Sequence, residues 1–179
     1  MVNKLTPDLN EAQQFLDFLE RGGKFWFQVA EEPKPKDRKA IAKVLHGTLA
    51  DVGDQLVKLN QNGYAVWVQI NAGTGRKNED VDRIRAYFVD QDNGHTELLL
   101  ESAVPADAIV ESSPGKFHGY WRTHDAPLDQ FSGRMRALAE KFEGDYSICN
   151  LGRVMRLPGF FHLKGEPCMS RIVTIRKGL

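Results

Sequence analysis

The sequence predicts one mixed α/β domain whose sheet is mostly antiparallel and is flanked by three main helices. Three segments carry apolar residues at helical spacing, and the shorter segments between them have the length and alternation typical of strands. No apolar run approaches the length of a membrane span, and 179 residues are enough to bury one core. The opening residues, Met1–Lys4, show no signal-peptide pattern, so we expect a cytosolic protein.

The predicted helices differ in how they begin and end. The first covers Leu9 to Leu19 and ends at a glycine pair, which favours helix termination. The second covers Leu49 to Leu59, with Thr48 as its N-cap. The third covers Pro127 to Phe142, where large apolar residues recur every three or four positions.

Seven further segments are predicted to be strands because they are short and rich in β-branched and aromatic residues. We expect the second and third of them to be the central strands, and the charged, proline-containing segment 31–39 to be an exposed loop. The strand segments are Phe25 to Val29, Tyr64 to Ile70, Ile84 to Asp90, Thr96 to Leu100, Ala108 to Glu111, Phe117 to Trp121 and Met169 to Ile175.

Charge is balanced overall but not along the chain. There are 24 basic and 24 acidic residues, so the formal net charge is zero. From Leu151 onward, however, six lysines and arginines accompany a single acid, Glu166. Folding can therefore bring a basic C-terminal segment next to the acids that precede it. The two cysteines, Cys149 and Cys168, are far apart and indicate neither a disulfide framework nor a zinc site.

Two acids one residue apart end an apolar segment, Phe88-Val89-Asp90-Gln91-Asp92. In a strand, positions i and i+2 project from the same face, so Asp90 and Asp92 would lie side by side and favour a divalent cation. The alternative is an ordinary strand that enters a polar turn at Asn93-Gly94.

A second segment, 112–121, reads Ser-Ser-Pro-Gly-Lys-Phe-His-Gly-Tyr-Trp. Its first residues predict a tight turn whose backbone N–H groups, with Lys116, can approach an anion. His118 follows within a strand. A histidine in an aromatic strand is usually a hydrogen-bonded core residue, so a core role and a functional role both stay open.

A third segment, 144–159, contains Asp145, Arg153 and Arg156. On a helical turn, arginines three residues apart share a face, and their guanidinium groups suit phosphate oxygens. The alternatives are two solvated arginines and an Asp145 that only caps the following turn.

Taken in this order, Phe-Val-Asp-Gln-Asp, the segment around His118, and Gly-Asp-Tyr followed by Arg-Val-Met-Arg-Leu-Pro-Gly resemble the primase-polymerase domains of the archaeo-eukaryotic primase superfamily. The resemblance is to the RepB-like type of plasmids and phages. It implies an RRM-like catalytic core, about 64–179, after an N-terminal α/β lobe, about 1–63. It also implies that a helical or helicase domain can lie outside this chain.

The resemblance assigns roles to residues of the three segments. It implies that Asp90, Asp92 and Asp145 hold two Mg²⁺ or Mn²⁺ ions, with Glu143 as the competing third carboxylate, and that His118 contacts the nucleotide. Gln91 stands where the family usually has an apolar residue, so we expect that side of the strand to be less buried. The implied phosphate-binding residues are Lys116, His118, Arg153, Arg156, His162 and Lys164.

The implied activity is template-directed nucleotidyl transfer to a 3′-hydroxyl. Its partners would be single-stranded DNA template and primer and a nucleoside or deoxynucleoside triphosphate. A non-catalytic DNA-binding replication module and a metal-dependent nuclease or phosphatase are the alternatives. Aromatic residues that stack on bases are expected beside the basic ones. The candidates are Trp26, Trp67, Tyr120, Trp121, Phe160 and Phe161.

Overall fold

The computed structural model describes residues 5–176. The predictions that concern Met1–Lys4 therefore lie outside the described residues. Within the described part of the chain, no helix is both long and apolar enough to cross a bilayer. The α-helices there are α1 Leu9–Glu20, α2 Leu49–Gln61, α3 Thr96–Glu101 and α4 Phe131–Lys141.

The strands fall where the sequence alternates, with several additional short ones. In chain order they are β1 Phe25–Glu31, β2 Ala42–Gly47, β3 Tyr64–Gln69, β4 Ala72–Gly73, β5 Val81–Arg83, β6 Ala86–Gln91, β7 Ala108–Ser113, β8 Lys116–Arg122, β9 Val154–Arg156, β10 Phe161–His162, β11 Cys168–Met169 and β12 Arg171–Ile175.

Two four-stranded sheets form the framework instead of one. Sheet one has the strand order β2-β1-β3-β9, and sheet two has the order β12-β7-β8-β6. Neighbouring strands are antiparallel in both sheets. The expectation of two central strands holds for β3, whereas β6 lies at an edge of sheet two. Sheet one combines strands from both sides of residue 63, and the division into two lobes stays a prediction.

Sheet one buries one face under helices. In β1 the buried residues Phe25, Phe27 and Val29 alternate with half-buried ones, as expected for a strand with one covered face. The apolar sides of α1 and α2 belong to the same hydrophobic cluster. Thr48 caps α2 as predicted, because its hydroxyl accepts the N–H of Asp51 and the Asp51 carboxylate accepts the N–H of Thr48. The opposite face of sheet one carries Trp26 and Trp67.

Three local predictions are wrong. Residues 96–100 form α3 instead of a strand, since three consecutive leucines give no alternation and only Leu99 is buried. Strand β2 was not predicted, because most of its residues are exposed and give no buried pattern. The segment 31–39 is not a loop throughout, because Glu31 ends β1 and Glu32 is buried.

Two boundaries also differ from the prediction. The helix predicted from Pro127 begins as a 3₁₀ turn over Leu128–Gln130, and α4 starts only at Phe131. The predicted strand Met169 to Ile175 is divided into β11 and β12, because Ser170 between them hydrogen-bonds to Phe160.

Candidate active site

A cavity of about 240 Å³ is lined by residues of both sheets. It brings together eight of the nine predicted site residues, although these span more than seventy positions of the chain. The eight are Asp90, Asp92, Lys116, His118, Arg153, Arg156, His162 and Lys164. Trp67, Ser112, Ser113, Val154 and Met155 complete the wall.

The acidic side of the cavity is built by the pairing of β6 with β8. Asp90 lies directly opposite His118 in this antiparallel ladder, and the two side chains share a face. His118 Nε2 lies 3.5 Å from Asp90 Oδ1. One step further along, Lys116 Nζ lies 2.8 Å from Asp92 Oδ1. Each acid therefore faces a basic group on the neighbouring strand.

Asp90 is the electrostatically strained member of this group. Burial, together with the nearby carboxylates of Asp92 and Asp145, raises its pKa to about 6, and Arg153 and Lys116 oppose this rise. A carboxylate in such a setting is stabilised by a cation that replaces its lost hydration. Asp92 differs, because 68% of its side chain is exposed and Lys116 already neutralises it.

His118 is buried and neutral. Burial lowers its pKa to about 3, with the positive charge of Arg156 as a further cause. Its Nδ1 lies 3.1 Å from the hydroxyl of Tyr120, whose own pKa is raised well above the usual value by burial. His118 therefore presents an uncharged imidazole to Asp90 at neutral pH.

Asp145 does not line the cavity but lies next to it. Its N–H donates to the carbonyl oxygen of Asp90 at 2.9 Å. Its carboxylate accepts the N–H and the hydroxyl of Ser147 at 2.7 and 2.6 Å, so it caps the 3₁₀ turn Tyr146–Ile148. Those hydrogen bonds lower the pKa of Asp145. The capping role that the sequence left open is thus present.

Gly144 explains how the backbone of Asp145 comes so near to Asp90. A Cβ at position 144 would collide with the Val89 side chain and lie 3.2 Å from the Asp90 carbonyl oxygen. Glu143 points elsewhere, since its carboxylate accepts from Asn93 Nδ2 and contacts His95 Nδ1, each at 2.9 Å. Within residues 5–176, no three His, Cys, Asp or Glu side chains are already gathered as metal ligands.

A residue behind the basic side of the cavity, Glu32, was not predicted from the sequence. Arg156 donates from both terminal nitrogens to the buried carboxylate of Glu32, at 3.1 and 3.2 Å. Arg156 and Arg153 do not share a helical turn, because β9 is a strand, yet both line the cavity. No local pattern pointed to Glu32, since its partner lies 124 positions away.

The turn predicted to bind an anion is already occupied. Ser113 pairs with Lys116 across Pro114-Gly115, and Gly115 has a φ of 74°, which favours glycine. However, the Gly115 N–H donates to the carboxylate of Glu111 at 3.0 Å. The Lys116 side chain contacts Asp92, and Ser112 and Ser113 line the cavity beside it.

The aromatic candidates divide by burial. Tyr120, Trp121 and Phe160 belong to the core, whereas Trp26, Trp67 and Phe161 are half-buried. Phe161 lies in β10. Gln91 is fully buried, contrary to expectation, because its side-chain amide donates to the carbonyl oxygen of Phe142.

Comparison with known proteins identifies similar domains. A family model described as the RepB DNA-primase N-terminal domain matches residues 76–173, more than half of the chain, and includes all three motifs. A search of curated protein sequences returned no match.

Three solved structures have a similar fold. The primase-polymerase domain of cyanophage S-2L superposes with a TM-score of 0.77 at 21% identity, over 98% of this chain and 94% of that one. The catalytic domain of primase RepB′ in complex with initiator DNA gives 0.69 at 16% identity, over 95% and 86%. A longer RepB′ chain gives 0.70 at 16% identity, and the match covers 95% of this chain but 57% of that one. These similarities confirm the predicted α/β fold class.

Proposed function

The chain belongs to the RepB DNA-primase family, whose N-terminal domain it carries, and on that premise we propose that it is a DNA primase-polymerase. The observation that carries the proposal is the cavity between the sheets, where Asp90 and Asp92 face a wall of basic side chains. Nucleotidyl transfer needs both kinds of group, because the 3′-hydroxyl must lose a proton while a polyphosphate is held and its charge neutralised.

Basic side chains of the cavity would bind the triphosphate. Arg153 lines it, and its Nε has no hydrogen-bond partner among the described residues. His162 Nδ1 is likewise buried without a partner. His118 Nδ1 can accept a hydrogen bond from the Tyr120 hydroxyl, which leaves the proton on Nε2, where it would donate a hydrogen bond to a phosphate oxygen. Lys116 and Lys164 add charge at the rim, which attracts anionic substrates.

The donor chemistry of the acidic side suits Mg²⁺ or Mn²⁺. Asp90 and Asp92 would hold the ions, and Asp145, whose backbone is bonded to that of Asp90, is the proposed third carboxylate. A rotation away from Ser147 would free its carboxylate for this role. A bound divalent ion there would favour ionisation of a 3′-hydroxyl and neutralise charge on the phosphates.

Single-stranded DNA is the partner proposed for the face of sheet one that carries Trp26 and Trp67. The segment 73–76 covers part of this face, because Trp26 Nε1 donates to the Gly73 carbonyl oxygen and Arg76 donates to the Gln28 side-chain oxygen. The register places Val44, Gln28, Trp67 and Arg156 in one row across the sheet, from its exposed edge to the cavity. In the adjacent row, His46 stacks on Trp26 with ring centroids 4.1 Å apart. Exposed aromatic rings beside a positively charged groove are typical of single-strand binding surfaces. The RepB′ domain solved with initiator DNA has the same fold.

One product assay tests the proposal against the alternatives. The protein is incubated with labelled primer, single-stranded template, ribonucleotides or deoxynucleotides, and Mn²⁺. Template-dependent lengthening of the primer supports a primase-polymerase. Shortened products would indicate a nuclease, and retention of unchanged DNA would indicate a binding module.

A further inference from the structure

The buried pair formed by Glu32 and Arg156 links the end of β1 to two elements that line the cavity, β9 and β10. Glu32 directly follows β1, Arg156 ends β9, and the Glu32 carboxylate also accepts the N–H of Leu163, just after β10, at 2.8 Å. His162 and Lys164, which flank Leu163, line the cavity. A single carboxylate thus holds Arg156 and the backbone between two other basic residues.

Both charges of this pair are removed from solvent. The side chains of Glu32 and Arg156 are 3% and 10% exposed. Burial acts to raise the pKa of Glu32, but the hydrogen bonds from Arg156 and Leu163 outweigh it, so the pKa lies below its ordinary value. The pair is therefore an ionised unit with no net charge. The Arg156 guanidinium also lies 4.9 Å from the centre of the Trp67 ring, which further fixes its orientation.

Arg153 contrasts with Arg156 in the same cavity. Within residues 5–176 its side chain forms no ion pair and no hydrogen bond, and its Nε is buried without a partner. Its positive charge instead acts at a distance: it opposes the rise in the pKa of Asp90 and, after the hydrogen bonds from Ser147, contributes to the lowered pKa of Asp145. Nothing in the sequence distinguishes the two arginines. Among the described residues, however, Arg156 is paired with a carboxylate and Arg153 is not.

We propose that Glu32 is a positioning residue: it holds the Arg156 side chain in the cavity wall and neutralises its charge. Arg153 is then the arginine that binds the anionic substrate. This inference rests on the proposed function. It assigns a role to Glu32 and separates two residues for which the motif implies one role.

The proposal predicts that a second substitution, Glu32→Gln, restores the nucleotide affinity that Arg156→Gln removes. Arg156→Gln alone leaves the buried Glu32 carboxylate without its ion-pair partner, directly behind the cavity wall, where its negative charge would repel a triphosphate bound in the cavity. Adding Glu32→Gln removes that negative charge, and the two amides can still hydrogen-bond to each other and to Leu163. If the substrate does not use the charge of Arg156, nucleotide affinity should return in the double variant.

The test measures binding of a non-hydrolysable nucleoside triphosphate with Mn²⁺, and KM and kcat for primer extension, using the whole 179-residue chain. We expect Arg156→Gln to weaken binding about tenfold or more, and the double variant to bind within about threefold of wild type. KM should follow binding while kcat at saturating nucleotide changes little. A folded double variant as weak as Arg156→Gln would overturn the proposal, because Arg156 would then contact the substrate itself.

Arg153→Gln provides a test that does not depend on the buried pair. It removes a charge that has no partner, so the melting temperature should stay near that of wild type while nucleotide affinity falls about tenfold or more. Unchanged affinity in this variant would also contradict the proposal. Failure of the proposed function has a different signature, because wild-type protein would then neither bind the triphosphate nor extend a primer.

Discussion

Asp90 and His118 face each other across adjacent antiparallel strands, with 3.5 Å between Asp90 Oδ1 and His118 Nε2. The strand register alone creates this relationship, since the two residues are 28 positions apart in the chain. It places a carboxylate with a raised pKa next to an imidazole with a lowered one. Divergent pKa values of neighbouring groups are frequent at catalytic sites. Several consequences can be measured.

The first prediction concerns the cost of an ionised Asp90. Because its pKa rises from 3.8 to about 6, folding is penalised above pH 6 and the penalty shrinks as the pH falls through that value. Without divalent metal, Asp90→Asn should raise the free energy of unfolding at pH 7.5 by on the order of 1–3 kcal/mol. The gain should be smaller at pH 5, where the folded wild type is already protonated.

Urea unfolding with a chelator at both pH values checks this prediction. The exposed Asp82 provides a control, and Asp82→Asn should have almost no effect at either pH. An equal stabilisation by Asp90→Asn at pH 5 and pH 7.5 would show that the carboxyl is not strained in this way.

The second prediction concerns competition for Asp92. Lys116 Nζ lies 2.8 Å from Asp92 Oδ1, so a cation bound by Asp92 competes with this ammonium group for the carboxylate and is repelled by it. Lys116→Met should therefore tighten Mn²⁺ binding in the absence of nucleotide by roughly two- to fivefold. This factor corresponds to the free energy of one exposed ion pair. Calorimetric titration measures the affinity. Lys164→Met is the control, because Lys164 lines the same cavity and makes no ion pair among the described residues. Unchanged or weaker Mn²⁺ binding by Lys116→Met would argue against a metal at Asp92.

The third prediction tests the exposed end of the Trp26 face of sheet one, next to strand β2. His46 is exposed and stacks on Trp26, so His46→Ala removes one ring without opening the core. We expect the affinity for single-stranded DNA to fall about fivefold or more, as for the loss of one stacking partner. His124 is also exposed, and His124→Ala serves as the matched control in a fluorescence-anisotropy titration. Equal affinities for the two variants would place the strand elsewhere.

The fourth prediction compares two glycines. A methyl group at Gly144 collides with Val89, whereas one at Gly133 in α4 meets nothing within 4 Å. Gly144→Ala should lower the free energy of unfolding by about 1–3 kcal/mol and weaken Mn²⁺ binding, since it displaces Asp145 from Asp90. Gly133→Ala should stabilise the protein by up to about 1 kcal/mol through helix propensity. Thermal unfolding that ranks the two variants in the opposite order would contradict the packing at Gly144.

The sequence predicted the features that local pattern controls. The apolar spacing of 9–19 and 49–59 identified α1 and α2, and the Asp90-Gln91-Asp92 spacing correctly indicated two acids at a strand end. Strand β2 was not predicted and helix α3 was predicted as a strand, since their conformation depends on tertiary pairing and packing more than on alternation.

In the candidate site, likewise, the sequence did not predict contacts between residues that are far apart in the chain. The order of the motifs identified Asp90, His118 and Arg153 as candidate site residues, and all three line one cavity. Glu32 was assigned to an exposed charged loop, because nothing near it in the chain reveals a partner 124 residues away. Likewise, two arginines in one motif gave no sign that only one of them is neutralised.

The proposal that this cavity performs nucleotidyl transfer is tested most directly by primer extension with Asp90→Asn. Wild-type protein, Asp90→Asn and the control Asp82→Asn are compared on a primed single-stranded template with Mn²⁺ and nucleotides, after each is shown to be folded. We predict template-dependent extension by wild type and by Asp82→Asn, and a loss of more than about a hundredfold for Asp90→Asn. Extension by folded Asp90→Asn at a rate near that of wild type would contradict the assignment of this site.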